Sequence, residues 1–203
     1  MTIIIIALTC IISILAFNKT QLIYRYQFNS YQILRRKQYI RLISHAFLHA
    51  NWTHLIINML VFLSFGQSLE RSFKAMFGSP GILFFLLLYF GAVIISPLYS
   101  LIKQRDNYMY NAVGASGAVS AVVFANIFLA PWKQIYFFGI IPIPGIVFAL
   151  LYLIYSWQMS KRNRDNIAHD THFLGAVFGL VFPVILNPQL FGSFIEQLIS
   201  FSF

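Results

Sequence analysis

Gly114-Ala115-Ser116-Gly117 sets a serine among small residues at the start of an apolar run that ends at Ala130. Neighbours with so little bulk let a base, another backbone or an extended chain come close to the hydroxyl. His54 and Asn58 stand near the start of a second apolar segment, and His172 near the start of a third. A serine hydroxyl is a weak nucleophile until a base takes its proton, and imidazole, with a reference pKa of about 6.5, is suited to that exchange. Attack on an amide also builds negative charge on oxygen, which needs N–H donors aimed at it. Asn58 can supply a side-chain N–H, His54 another, and the backbone N–H of Ser116 at a helix N-terminus a third. The chemistry implied is that of a serine hydrolase inside a membrane, with Ser116 as nucleophile and His172 as base. Asp170 lies two residues from His172, off its helix face, so the expectation is a dyad.

The elements that must position these groups are membrane segments. Of the 203 residues, 59% are hydrophobic and 9% charged, against roughly 45–50% apolar in soluble domains, and the mean hydropathy is +0.75. The net charge of +9 would suit nucleic acid in a soluble protein, but here the Lys and Arg residues flank apolar segments, where lipid headgroups are nearer. Membrane lipids, and no nucleic acid, are the expected partners. The lone Cys10 excludes an internal disulfide. No His-Glu-x-x-His motif is present, and Glu70, Asp106, Asp165, Asp170 and Glu196 suggest no ligand set, so neither metal nor cofactor is expected.

Six spans follow from the apolar runs, in one all-α domain over 1–203. The first is Thr2 to Phe17, read as a retained span because it lacks a basic n-region and a small-residue exit. Residues 21–51 interleave Arg25, Arg35, Arg36, Lys37 and Arg41 with tyrosines, a pattern suited either to the membrane interface or to a solvated loop. The second span opens at Trp52, the third runs from Gly81 to about Leu101, and the fourth from about Ala112 to Ala130. The segment holding Gly139, Pro142, Pro144 and Gly145 carries too many helix breakers for a regular helix. The fifth span then runs from near Pro144 to Trp157 and the sixth from about Thr171 to Leu186. Residues 189–203 read as a short interfacial tail helix.

With six crossings, the second, fourth and sixth spans run in one direction, so the first turns bearing His54, Ser116 and His172 share one face of the bilayer. Asn58 follows His54 by four residues and projects from the same side of its helix. His172, Gly175 and Gly179 form one face, and Gly117, Ala121 and Ala125 another; small-residue faces of this kind let helix backbones approach in lipid. Each stripe alone is ordinary packing, and only its place beside polar groups points further. Ser64 and Ser120 are expected to bond locally or to a neighbouring helix, Asn126 across helices, and His45 with His49 to brace the first loop.

These residues resemble the rhomboid family of intramembrane serine proteases. His54 to Asn58 is similar to its HxxxN motif, Gly114 to Gly117 to its GxSG motif, and Thr171 to Gly179 to its AHxxGxxxG motif. The resemblance covers about Arg41 to Leu186. It implies a six-helix core, a Ser116/His172 dyad, oxyanion binding by His54 and Asn58, and cleavage of single-pass membrane proteins near the bilayer edge, in a plasma or inner membrane. It also implies that Arg41 braces the first loop. Thr171 replaces the usual Ala, and Ser120 stands where many members carry an aromatic against the histidine ring. A silent relative that escorts membrane helices is the rival reading, and a transporter fits less well because the acids lie outside the spans. Eleven of the 14 Lys and Arg residues flank the face bearing Ser116, which by the positive-inside rule turns that face to the cytoplasm. The resemblance implies an exterior opening, and the reading follows the resemblance.

Overall fold

The structure, a computed structural model, describes residues 1–137, 139–162 and 168–200. Helix α1 (Thr2–Asn18) ends where the chain turns by 118° at Lys19 into α2 (Thr20–Tyr26). Helix α3 (Ser30–Arg36) is capped by Asn29, whose side chain accepts from Gln32 N, and stops at Lys37 in the left-handed region. Helix α4 (Arg41–Ser44) leads through a 3-10 turn, His45–Phe47, to the long helix α5 (Trp52–Phe77). Asn51 caps α5 by accepting from His54 N at 2.9 Å, an ordinary N-cap that satisfies one orphan donor. Helices α6 (Gly81–Ile95) and α7 (Leu98–Lys103) follow, broken at Pro97.

Helix α8 (Ser116–Leu129) is the hub. From Gly117 to Phe128 every residue but Asn126 is buried, as befits a helix with apolar residues on all sides. It packs against α5, α6 and α10 (His169–Leu186), with α9 (Gly145–Arg162) alongside. Phe62 of α5 and Phe85, Leu88 and Tyr89 of α6 are fully buried beside Ala121 and Ala125 of α8, closing the main core. Asn126 donates to the carbonyl of Phe65 at 2.9 Å, the expected bond across helices.

Several sequence expectations shift. The fourth segment becomes helical only at Ser116; before it, Ala112 pairs with Phe28 in an isolated bridge, so the serine occupies the first helical position. The breaker-rich stretch folds as an antiparallel hairpin of β1 (Gln134–Phe137) and β2 (Ile141–Pro144), with Gln134 opposite Pro144. Proline is compatible with such an edge because the missing N–H faces outward. The tail is the helix α11 (Gln189–Ser200), and residues 201–203 of the expected tail lie outside the described residues.

By length and composition three helical stretches can cross a bilayer, Trp52–Phe77, Gly81–Lys103 and His169–Leu186, with α1 and α2 together as a fourth; α8 is apolar but shorter. The chain is thus a mostly helical membrane protein.

Candidate active site

The bridge of Ala112 to Phe28 and a glycine at 114 lead the chain into α8 at Ser116. Gly114 has φ +122°, a conformation that side chains with a Cβ avoid, and its N–H donates to the carbonyl of His45 at 3.0 Å. A Cβ added there would lie 2.7 Å from Cε1 of His54. The glycine therefore lets the loop pass directly over the His54 ring. Ala115 caps α8 without a side-chain acceptor, so the first-turn N–H groups of Ser116, Gly117 and Ala118 have no partner within the helix.

Helix α10 comes against α8 through glycine. A Cβ on Gly175 would overlap the backbone carbonyl of Gly117, and one on Gly179 that of Ala121. On Gly117 itself it would meet Ser96 and Thr171 Cγ2. This contact brings Nε2 of His172 to 2.7 Å from Oγ of Ser116. Both residues are partly exposed, within reach of water or substrate. Asp170 serves elsewhere: its carboxylate accepts from Ser100 Oγ and from Thr171 N.

On α5, His54 stands beside Gly114. Asn58 is buried, and its Nδ2 donates to the carbonyl of His54 at 2.9 Å. That bond uses one of the two amide hydrogens and fixes the rotamer, leaving the second as a donor for another acceptor. The arrangement at one end of the bundle thus comprises a hydroxyl against an imidazole, a helix N-terminus, and a buried amide beside a second imidazole.

Arg41 lies away from this group. Its Nη1 donates to the carbonyls of Tyr24 and Gln27 at 3.0 and 2.8 Å, and its Nε to Gln38. The buried guanidinium thus ties α2 to α4. His49 braces the same loop: Ser13 Oγ donates to Phe47 O at 2.8 Å, so the 3.0 Å contact with His49 Nδ1 takes the ring's own proton. The His49 and His54 rings meet edge to face at 4.9 Å. Burial lowers His45 to about 4 and, with a smaller contribution from the charge of His54, lowers His49 to about 3, so both rings are neutral near pH 7.

Sequence reasoning missed the surroundings of His172. Ser120 carries no ring, and its Oγ bonds the Tyr152 hydroxyl of α9 at 2.6 Å. His169 lies edge to face with the His172 ring at 6.0 Å, and Tyr155 of α9 lies edge to face with His169 at 5.5 Å. The three-residue spacing of His169 and His172 was a legible signal, whereas the tyrosine comes from another helix. Among the described residues no group of three His, Cys, Asp or Glu could hold a metal.

The Rhomboid domain family matches residues 36–189. The chain is 28% identical over 148 residues to RHOMBOID-like protein 12, mitochondrial, of Arabidopsis thaliana, covering 69% of this chain and 44% of that protein. It is 28% identical over 180 residues to Rhomboid protein 1, mitochondrial, of Saccharomyces cerevisiae, covering 84% and 50%. With Rhomboid-related protein 1 of Caenorhabditis elegans the identity is 26% over 167 residues, covering 79% and 44%. The chain spans about half the length of the curated relatives it matches. With the family match extending over most of its length, from Lys37's neighbour at position 36 to Gln189 and across all three motif-bearing helices, this chain belongs to the rhomboid family.

Proposed function

We propose that this chain is an intramembrane serine endopeptidase that cleaves single-pass membrane proteins in or near their transmembrane segment. The observation that carries the reading is the 2.7 Å contact between Ser116 Oγ and His172 Nε2 at the mouth of a buried helix. Ser116 Oγ attacks the scissile carbonyl carbon while its proton passes to His172 Nε2. The oxyanion is held by the N–H of Ser116, by Asn58 and by His54. Collapse expels the amine, which takes the proton back from His172 and leaves an ester on Ser116. Water, deprotonated by His172, then hydrolyses that ester and restores the hydroxyl. Each step draws only on groups of this chain and on water.

Six crossings by α1, α5, α6 with α7, α8, α9 and α10 are part of the same proposal, as is one domain in a plasma or inner membrane with the catalytic face outward. Two of the relatives are named as mitochondrial, and a mitochondrial inner membrane would meet the same physical requirements. Labelling of single cysteines in the 103–110 loop of intact cells by an impermeant reagent reads the orientation; protection of that loop would reverse it.

The decisive experiment is co-reconstitution with a single-pass substrate and a fluorophosphonate probe. Wild-type protein is expected to cleave the substrate and to label at Ser116, and Ser116→Ala to do neither. Cleavage that survives Ser116→Ala would remove the assignment. A well-folded wild-type protein that neither cleaves nor labels would favour a silent escort of membrane helices.

A further inference from the structure

The first 69 residues contain six Lys and Arg and no Asp or Glu. The catalytic reading uses one of them at most, Arg41 as a brace, and of the others Arg25 and Lys37 come together with it at one cleft. Arg25, Tyr26, Lys37, Gln38, Tyr39, Ile40 and Arg41 line a shallow cleft of about 670 Å³ between α2 and the start of α4. Its walls are fixed before any ligand arrives. Arg41 holds the carbonyls of Tyr24 and Gln27, Ser44 Oγ donates to Tyr26 O at 2.7 Å, and Gln38 N donates to Gln32 O at 3.1 Å. Lys37, at φ 56°, turns the chain at the rim.

Among the described residues, the cations of the cleft have no carboxylate counter-charge. Among the described residues, Asp106 is taken by Arg35 and Arg105, Asp170 by Ser100, and no carboxylate contacts Arg25 or Lys37. Arg25 instead lies over the Tyr26 ring, 5.5 Å from its centroid. The same edge exposes apolar bulk: Tyr24 is 70% exposed, Ile40 59%, Tyr39 58% and Ile43 40%. Paired cations beside unpartnered aromatic and branched side chains match one chemistry, a phosphate joined to hydrocarbon. Tyrosine at headgroup depth with Arg and Lys reaching up is how chains sit in a bilayer interface.

We propose that this cleft binds the phosphate headgroup of an anionic phospholipid, held by Arg25 and Lys37 with the acyl chains lying along Tyr24, Tyr39, Ile40 and Ile43. The ligand is a resident of the leaflet on the Ser116 side, distinct from any peptide substrate. The site also gives the excess of positive charge on that face an occupant, so the charge need not dictate orientation through the positive-inside rule.

The test needs no proteolysis, so its failure and that of the protease reading are separable. Purified full-length protein is placed in nanodiscs of phosphatidylcholine containing phosphatidylglycerol, released, and weighed by native mass spectrometry. Wild-type protein is expected to retain phosphatidylglycerol over phosphatidylcholine. Retention should fall on the order of five-fold for each basic side chain lost, the factor expected for one cation at an anionic surface. Arg25→Gln with Lys37→Gln is the variant, and Arg71→Gln with Lys74→Gln, on the far end of α5, is the control expected to keep the preference. Unchanged melting of the Arg25/Lys37 variant in phosphatidylcholine shows that it is folded. Equal retention of the two lipids by wild-type protein, or a preference that survives the Arg25/Lys37 change, overturns the proposal. Displacement of the lipid by inorganic phosphate at equal concentration also overturns it, because the hydrocarbon would then contribute nothing.

Discussion

Gly175 of α10 lies against the backbone carbonyl of Gly117 on α8, with no room between them for a single methyl group. Ser116 and His172 are the neighbours of that contact, one residue before Gly117 and three before Gly175, so helix spacing and the Ser–His distance are one quantity. Gly175→Ala must push the helices apart. Overpacking of this kind costs about 1–3 kcal/mol, and a shift of a few tenths of an ångström lengthens the 2.7 Å bond. Both the melting temperature in detergent and the rate of fluorophosphonate labelling are expected to fall. Gly192→Ala on α11, where nothing lies within 4 Å, is the contrast: it replaces a poor helix former by a good one and is expected to be neutral or slightly stabilising. Equal effects at the two positions would show that packing space is not what Gly175 provides.

Gly114→Ala tests the His54 side of the site. The residue has φ +122° and faces the His54 ring, so alanine meets both backbone strain and a steric clash. Strain at such a position costs on the order of 1–3 kcal/mol, and the cheaper escape is for His54 to move. On the proposed mechanism, in which His54 helps hold the oxyanion, the expected result is a loss in kcat greater than the rise in KM. A variant with KM raised and kcat intact would place Gly114 in substrate binding instead.

What was legible in the sequence follows from what is local. The recurrence of Gly175 and Gly179 four apart, and of Gly117 and Ala121, shows in one dimension because helix faces repeat every few residues. The glycine clash with Gly117 and Ala121 across helices is what those stripes anticipate. The hairpin at Gln134–Pro144 escaped because its two strands stabilise each other, and Pro142 and Pro144 read as mere breakers when the pairing is unseen. The end of α1 was marked by the polar Asn18-Lys19-Thr20, but the 118° turn that follows depends on how α2 packs, and the late start of α8 at Ser116 was hidden by a small and apolar run that begins at Ala112. Ser120 shows the same limit from the other side. Its place in α8 was plain, but its bond to Tyr152 depends on how α9 packs.

Two buried histidines in the first loop make stability depend on acid. His45 and His49 are lowered by burial to about 4 and about 3, whereas both return to about 6.5 when the chain unfolds. Below that value the unfolded chain binds more protons than the folded one, so stability is complete above pH 6.5 and declines as pH falls toward 4. Each group contributes about 1.4 kcal/mol per pH unit within that window. Thermal melting followed from pH 7.5 down to 4.5 is expected to show this slope, and His49→Asn to reduce it by about half. A melting temperature that is flat with pH, or that rises in acid, would contradict the buried neutral state of these rings.

The ring of His169 stands between Tyr155 and His172, edge to face with each at 5.5 and 6.0 Å, and the position that often supplies an aromatic on α8 is Ser120. On the proposed mechanism, His169 would act on the chemistry through another residue, by limiting how far the His172 ring can swing from Ser116. Edge-to-face contacts are worth about 0.5–1.5 kcal/mol, so His169→Ala is expected to lower kcat/KM by up to roughly ten-fold. Because the loss is in the aim of the base and not in substrate docking, it should be in kcat with KM unchanged. His169→Phe keeps a ring in the same gap and is expected to recover most of the rate. Tyr155→Leu removes the outer wall alone and should fall between the two. If His169→Phe is as slow as His169→Ala while both melt like wild-type protein, packing is not the contribution, and a hydrogen bond of the His169 imidazole takes its place.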